Sequence, residues 1–88
     1  MGELHLSFDS GALAFLERLP QKRAKQVLAK IERLRSDPNP PGSKQLHNMK
    51  DGGDPICRIR SGDYRILYVV RNPGIVILDI GDRKDVYR

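Results

Sequence analysis

At 88 residues the chain has the length of one domain, and residues 1–88 are expected to form it without a second. A hydrophobic content of 39% suffices for one two-layer core, 31% charged residues of mixed sign argue against a disordered chain, and no apolar run reaches the ~18 residues of a membrane span. The net charge of +5, from sixteen basic and eleven acidic residues, raises the odds of a polyanionic partner.

Glu3 to Phe8 alternates, with Leu4, Leu6 and Phe8 on one side and His5 and Ser7 on the other, which predicts a half-buried strand. Asp9 or Ser10 is expected to cap a short helix that turns Ala12, Leu13, Phe15 and Leu16 toward the core. Pro20 ends that helix and suits the first turn of another. From Gln21 to Arg35, Ala24, Val27, Leu28, Ile31 and Leu34 form an amphipathic stripe, with Lys22, Arg23, Lys25, Lys30 and Arg33 outside it as a solvated face. The helix stops at Asp37-Pro38, and the pair makes a helical hairpin over a sheet. Residues 42–54 read as a polar loop anchored by Leu46 and Met49. Ile56–Arg60, Tyr64–Val70 and Ile75–Ile80 are predicted strands, joined by Ser61-Gly62-Asp63 and Asn72-Pro73-Gly74 into antiparallel hairpins. The expected fold is α+β: an N-terminal strand and a helical hairpin packed on an antiparallel β-sheet.

Period-2 counting then sorts the side chains of the meander. Cys57, Ile59, Ile66, Tyr68, Val70, Val76, Leu78 and Ile80 are expected under the helices. Arg58, Arg60, Arg65 and, if the last strand continues, Arg83 fall on the other face, with Asp79 the one carboxylate among them. A one-residue bulge would break this parity. Arginines on the open side of an antiparallel sheet are usually just solvated, but four together with little acid are less usual. Such a set can grip a phosphodiester and stabilise charge that builds as it is cut.

The stretch CRIRSGDYRILY (57–68) and the closing GDRKDVYR (81–88) resemble the RelE/ParE superfamily of toxins, and the order of elements resembles it over nearly the whole chain. The closing RKDVY leans toward the RelE branch. The resemblance implies a type II toxin that cuts mRNA on the ribosome, is neutralised by a cognate RelB-like antitoxin, and meets operator DNA only through the antitoxin complex. It implies Arg58, Arg65, Arg83 and Tyr87 as catalytic residues, and Arg60, Lys44, Lys50 and Lys84 as RNA contacts; for the basic face of the second helix (Lys22, Arg23, Lys25, Lys30, Arg33) it implies a ribosomal RNA contact as the alternative to a solvated face. Ile56 stands where some relatives carry a further basic residue, and Asp82 where many carry histidine. A ParE-like gyrase inhibitor, or a decayed toxin acting as a co-repressor, are the alternative readings.

RNA brings its own 2′-OH nucleophile, so these residues need only remove a proton and stabilise the phosphorane. Tyr87 is expected to accept that proton, Arg58 and Arg65 to hold the phosphate, and Arg83 to stabilise the leaving oxygen. Bringing a phenol from its usual pKa near ~10 to neutrality costs about 4 kcal/mol, which nearby guanidinium groups can supply. No cofactor and no metal are expected. His5 and His47 are expected to have no catalytic part, Cys57 to be a small core residue, and Tyr64 and Tyr68 to be core rather than base-stacking platforms. An N-terminus without the basic-then-apolar build of a secretory signal, and a single cysteine, point to a reducing cytoplasm.

Overall fold

A computed structural model describes residues 3–71 and 73–82. In chain order they form β1 (His5–Phe8), α1 (Ser10–Arg18), α2 (Gln21–Arg33), β2 (Lys44–Asp51), β3 (Asp54–Ser61), β4 (Tyr64–Arg71) and β5 (Gly74–Asp82). The strands make one sheet in the order β1-β5-β4-β3-β2. All neighbours are antiparallel except β1, which runs parallel to β5; the helical hairpin carries the chain from β1 at one edge of the sheet to β2 at the other. The helices cover one face of this sheet, as the α+β reading expects.

The α2 stripe does what its spacing predicts: Val27, Ile31 and Leu34 are buried, with Ala24 and Leu28 half-buried beside them. In α1, Ala12 and Leu16 are buried, and the half-buried Phe15 meets Tyr64 edge-on at 5.9 Å between ring centres. Leu13 does not join them and is 43% exposed, because one residue past Ala12 lies about 100° around the helix from the buried stripe. Asp9 occupies the N-cap, but its side chain makes no capping bond; its backbone N–H instead donates to the Ile77 carbonyl at 2.9 Å. The start of α1 is thus tied to the sheet rather than capped by a side chain.

Two departures concern the sheet. Residues 42–54 are not a loop: Lys44–Asp51 is the edge strand β2, paired with β3. Its polarity hid it, since an edge strand has little to bury. Its alternation is also broken. The pairing jumps from Gln45–Cys57 to Lys50–Pro55, so residues 46–49 oppose Ile56 alone, and Asn48 takes φ 60° to allow the bulge. Met49 is therefore 40% exposed rather than an anchor, while Leu46 is half-buried. In β5, Leu67 pairs with Asp79 but Tyr68 pairs with Ile77, which leaves Leu78 as a bulge. Ile75, Ile77 and Ile80 face the helices in consequence, and Val76 and Leu78 do not join the buried cluster as simple alternation expects.

Two polar attachments hold the sheet's surroundings in place. The Tyr68 ring is fully buried, and its hydroxyl donates to the Pro38 carbonyl at 2.7 Å, pinning the proline-rich segment after α2 to the core. Burial pushes the Tyr68 phenol up to about 12. At the opposite end, Arg71 spans the β2–β3 turn: Nε donates to Asp54 Oδ2 at 2.9 Å and Nη2 to the Asp51 carbonyl and carboxylate at 2.6 Å each. These two carboxylates raise the Arg71 guanidinium further above its ordinary range.

Candidate nucleic-acid interface

Residues opposite one another in a ladder share a face of the sheet. Arg58 lies between Lys44 on β2 and Leu67 on β4, Arg60 lies opposite Arg65, and Arg65 lies opposite Gly81. Lys44, Arg58, Arg60 and Arg65 therefore stand together on the face turned away from the helices. Gly81 brings no side chain to that level of the sheet. The floor beneath is apolar: Leu67 and Val69 are 6% and 0% exposed although they lie outside the main core, and Ile56 is half-buried beside them. Ile56, where some relatives would carry a cation, here belongs to that floor.

Arg58 is the most enclosed of these cations, at 8% exposed, and its Nε has no hydrogen-bond partner among the described residues. Enclosing a guanidinium without pairing it is costly, so the fold tolerates a group that an incoming anion can satisfy. Asp79 shares the arginine face, opposite Leu67, and is exposed, forming no ion pair among the described residues. Asp82 does not face the arginines. It pairs with Tyr64 and takes the parity of the helix side.

Lys50 stands apart from these cations. It pairs with Pro55, whose parity is that of Cys57, so the structure puts it on the helix side and at the far end of β3 from Arg60. An unbroken β2 would have given Lys44 and Lys50 one face; the bulge between them reverses it. Arg83, Lys84 and Tyr87 lie outside the described residues.

The discounted residues lie apart from the arginines. His5 is on the outer strand, three strands from Arg58, or roughly 14 Å at the usual strand spacing. His47 is exposed in the β2 bulge. Cys57 is half-buried on the helix side, where desolvation raises its thiol pKa and keeps it protonated.

One feature was not legible as part of a site. β2 begins at Lys44 opposite Arg58, so Ile59–Ser61 of β3, paired with β4 on one side, have no strand on the other. A cleft of about 520 Å³ opens along this edge, with Lys30 and Arg33 of α2 on one side and Arg58 and Arg60 on the other. Pro40, Pro41 and Gly42 also line it. The sequence shows Lys30 and Arg33 first as a solvated helix face, with a ribosomal RNA contact the alternative that the resemblance implies. The proline run that bends the chain beside them was the available sign.

Comparison with known proteins agrees with this architecture. The chain is similar to the toxin in the archaeal RelE–RelB complex of Pyrococcus horikoshii OT3, at 24% identity, with 96% of this chain and 99% of that one covered and a TM-score of 0.79. It is similar to a chain of the RelBE2 toxin–antitoxin complex of Mycobacterium tuberculosis at 26% identity, over 97% of each chain and with a TM-score of 0.76. Against the isolated RelE toxin of E. coli it shows 25% identity, over 96% of this chain and 90% of that one, with a TM-score of 0.71. A search of curated proteins returned no significant match. The family described as the ParE toxin of the type II toxin–antitoxin system parDE matches residues 6–87, from β1 through the closing motif. With nearly its whole length matched and its sheet and hairpin superposing on RelE toxins, the chain belongs to this ParE toxin family, within the RelE/ParE superfamily.

Proposed function

We propose that the 88 residues act as a single toxin domain of the RelE kind: an endoribonuclease that cuts mRNA on the ribosome and is silenced by a co-expressed antitoxin. The observation that carries this reading is the gathering of Lys44, Arg58, Arg60 and Arg65 on one face, with the Arg58 guanidinium enclosed over an apolar floor. Electrostatic contacts in such a water-poor setting are stronger than in bulk solvent. Similarity to the E. coli RelE toxin and to M. tuberculosis RelBE2 supports the choice.

In this mechanism Arg58 and Arg65 hold the scissile phosphate through paired N–H donors, a geometry suited to guanidinium and phosphate. Arg60 and Lys44 neutralise adjacent phosphates. The closing motif supplies the remainder: Tyr87 takes the 2′-OH proton, Arg83 stabilises the phosphorane and the departing 5′-oxygen, and Lys84 contacts RNA. The 2′-oxygen bonds to phosphorus as the P–O5′ bond breaks, and the departing 5′-oxygen takes a proton from solvent water, leaving a 2′,3′-cyclic phosphate and a 5′-OH. Lys50 has no part in this, given its place on the helix side.

The P. horikoshii and M. tuberculosis relatives are toxin–antitoxin complexes. For this chain we infer a RelB-like antitoxin that covers the basic face with an acidic or amphipathic segment, operator DNA being met only through that complex. The site of action is the cytoplasm, where ribosomes are; no helix among the described residues is long and apolar enough to cross a membrane.

The test is a reconstituted translation reaction with the purified protein. Cleavage within the A-site codon, with a cyclic phosphate on the upstream fragment, is expected. The family's own description, as ParE toxin, favours a second reading, inhibition of DNA gyrase. Intact mRNA together with trapped cleaved-DNA complexes would replace the first reading by the second.

A further inference from the structure

The proposed chemistry leaves the cleft at the free edge of β3 without a role, yet its lining is specific. Among the described residues four cations border it, two from α2 and two from β3, and no carboxylate does. Lys30 and Arg33 are three residues apart, hence neighbours on one helix face. Both are exposed, and both also line a second hollow of about 350 Å³ that continues past Ser61 and Gly62. Arg58 joins the two regions. By strand register it belongs to the arginine face, and it also lines the cleft, enclosed and with Nε unsatisfied among the described residues. Pro40, Pro41 and Ile59 add an apolar wall.

We propose that the RNA strand leaves the arginine face through this cleft. A nucleotide beside the scissile phosphate crosses the free edge of β3, with its phosphate on Lys30 and Arg33 and its sugar and base against Pro40, Pro41 and Ile59. The assignment of RNA as the ligand rests on the ribonuclease reading. The cleft itself favours a phosphodiester over an acidic peptide. Among the described residues only Ile59–Ser61 leave the outer edge of β3 unpaired, whereas an added peptide strand usually pairs over about 5–6 residues. A cavity of about 520 Å³ falls within the roughly 300–1,000 Å³ range of small-ligand sites, which suits a nucleotide. One charge per nucleotide step also matches cations spaced along a groove.

The test uses the purified full-length chain and labelled 2′-O-methyl RNA, which lacks the nucleophile and cannot be cut. Two strands are compared by fluorescence anisotropy across a salt series: one of about nine nucleotides, long enough to pass the cleft, and one of about three. In the variant carrying Lys30→Ala and Arg33→Ala, the long strand should show a log–log salt slope shallower by roughly 1.4, and roughly 25-fold weaker binding at ~0.1 M salt, since each single-strand phosphate contact contributes ~0.7. The short strand should bind as before. A variant with Lys30→Glu and Arg33→Glu should enlarge the long-strand loss, and thermal melts verify that both variants fold.

An unchanged slope for the long strand overturns the proposal, as does an equal loss for both strands or no RNA binding by the wild type. Loss of affinity for a Glu/Asp-rich peptide with RNA binding intact assigns the cleft to a protein partner and overturns it too. The two readings fail separately. Cleavage on ribosomes with an unchanged slope sinks the cleft alone; the length-dependent loss without any mRNA cleavage sinks the ribonuclease alone.

Discussion

Replacing Arg58 with methionine should make the protein more stable and less active. Arg58 is 8% exposed, lies beside Leu67, and keeps an Nε–H with no partner among the described residues. A buried donor left unsatisfied costs about 1–3 kcal/mol, and a hydrophobic replacement for a buried charged group is often neutral or favourable. Methionine keeps most of the apolar stem and adapts to the space. The net gain expected is about 1–2 kcal/mol, which for a domain of this size raises Tm by roughly 5–10 °C. Urea unfolding should show the same gain as a higher midpoint at constant slope. Cleavage on the ribosome should meanwhile fall by at least ~100-fold, the usual effect of removing one preorganised contact to developing charge. A destabilisation of about 1 kcal/mol or more, with cleavage retained, would show that Arg58 holds the fold rather than a ligand.

Alkaline unfolding should report on Tyr68. Its folded pKa of about 12 lies above the ordinary value near 10, so the unfolded chain loses the proton first; stability is full below pH ~10 and falls by about 2–3 kcal/mol as pH rises toward 12. Tyr68→Phe should remove that decline and cost about 1–3 kcal/mol at neutral pH by orphaning the Pro38 carbonyl, both readable by denaturant titration. Gly52→Ala meets both a φ of 59° and an Arg71 Nη2 at 2.8 Å, while Gly53→Ala meets a φ of 87° and open space. Each should lose about 1–2 kcal/mol in backbone strain, and Gly52→Ala should lose more than Gly53→Ala as Arg71 leaves Asp51 and Asp54; an Arg71→Ala background should erase the difference. Tyr87→Phe should fold and bind ribosomes normally while cleavage slows by about 100-fold or more, as measured in single-turnover reactions.

The parts of the fold that could be read beforehand are those in which one periodicity runs unbroken. The stripe from Ala24 to Leu34 has a single apolar face, and β3 and β4 alternate strictly from Cys57 to Val70, so the shared face of Arg58, Arg60 and Arg65 followed from counting. Counting failed wherever a bulge intervened. Leu78 drops out of the β4–β5 ladder, which turned Ile75 and Ile77 inward against the expected Val76; the excess residues 46–49, expected as a loop, set Lys50 on the face opposite Lys44. β2 itself lacked an apolar face to betray it, although Asp51-Gly52-Gly53-Asp54 is a hairpin signature whose glycines both take positive φ. The cleft depends on residues about thirty apart in sequence meeting across the edge of β3, and no local pattern encodes that meeting.

The claim on which the account turns is that the arginine face, and not basic charge in general, holds the RNA at the cut. Single-turnover cleavage of ribosome-bound mRNA by Arg65→Ala and Lys50→Ala compares two one-charge losses from opposite faces of the sheet. The account predicts that Arg65→Ala slows cleavage by ~100–1,000-fold while Lys50→Ala stays within about twofold of wild type. Equal effects from the two variants, or full activity in Arg65→Ala, would contradict it.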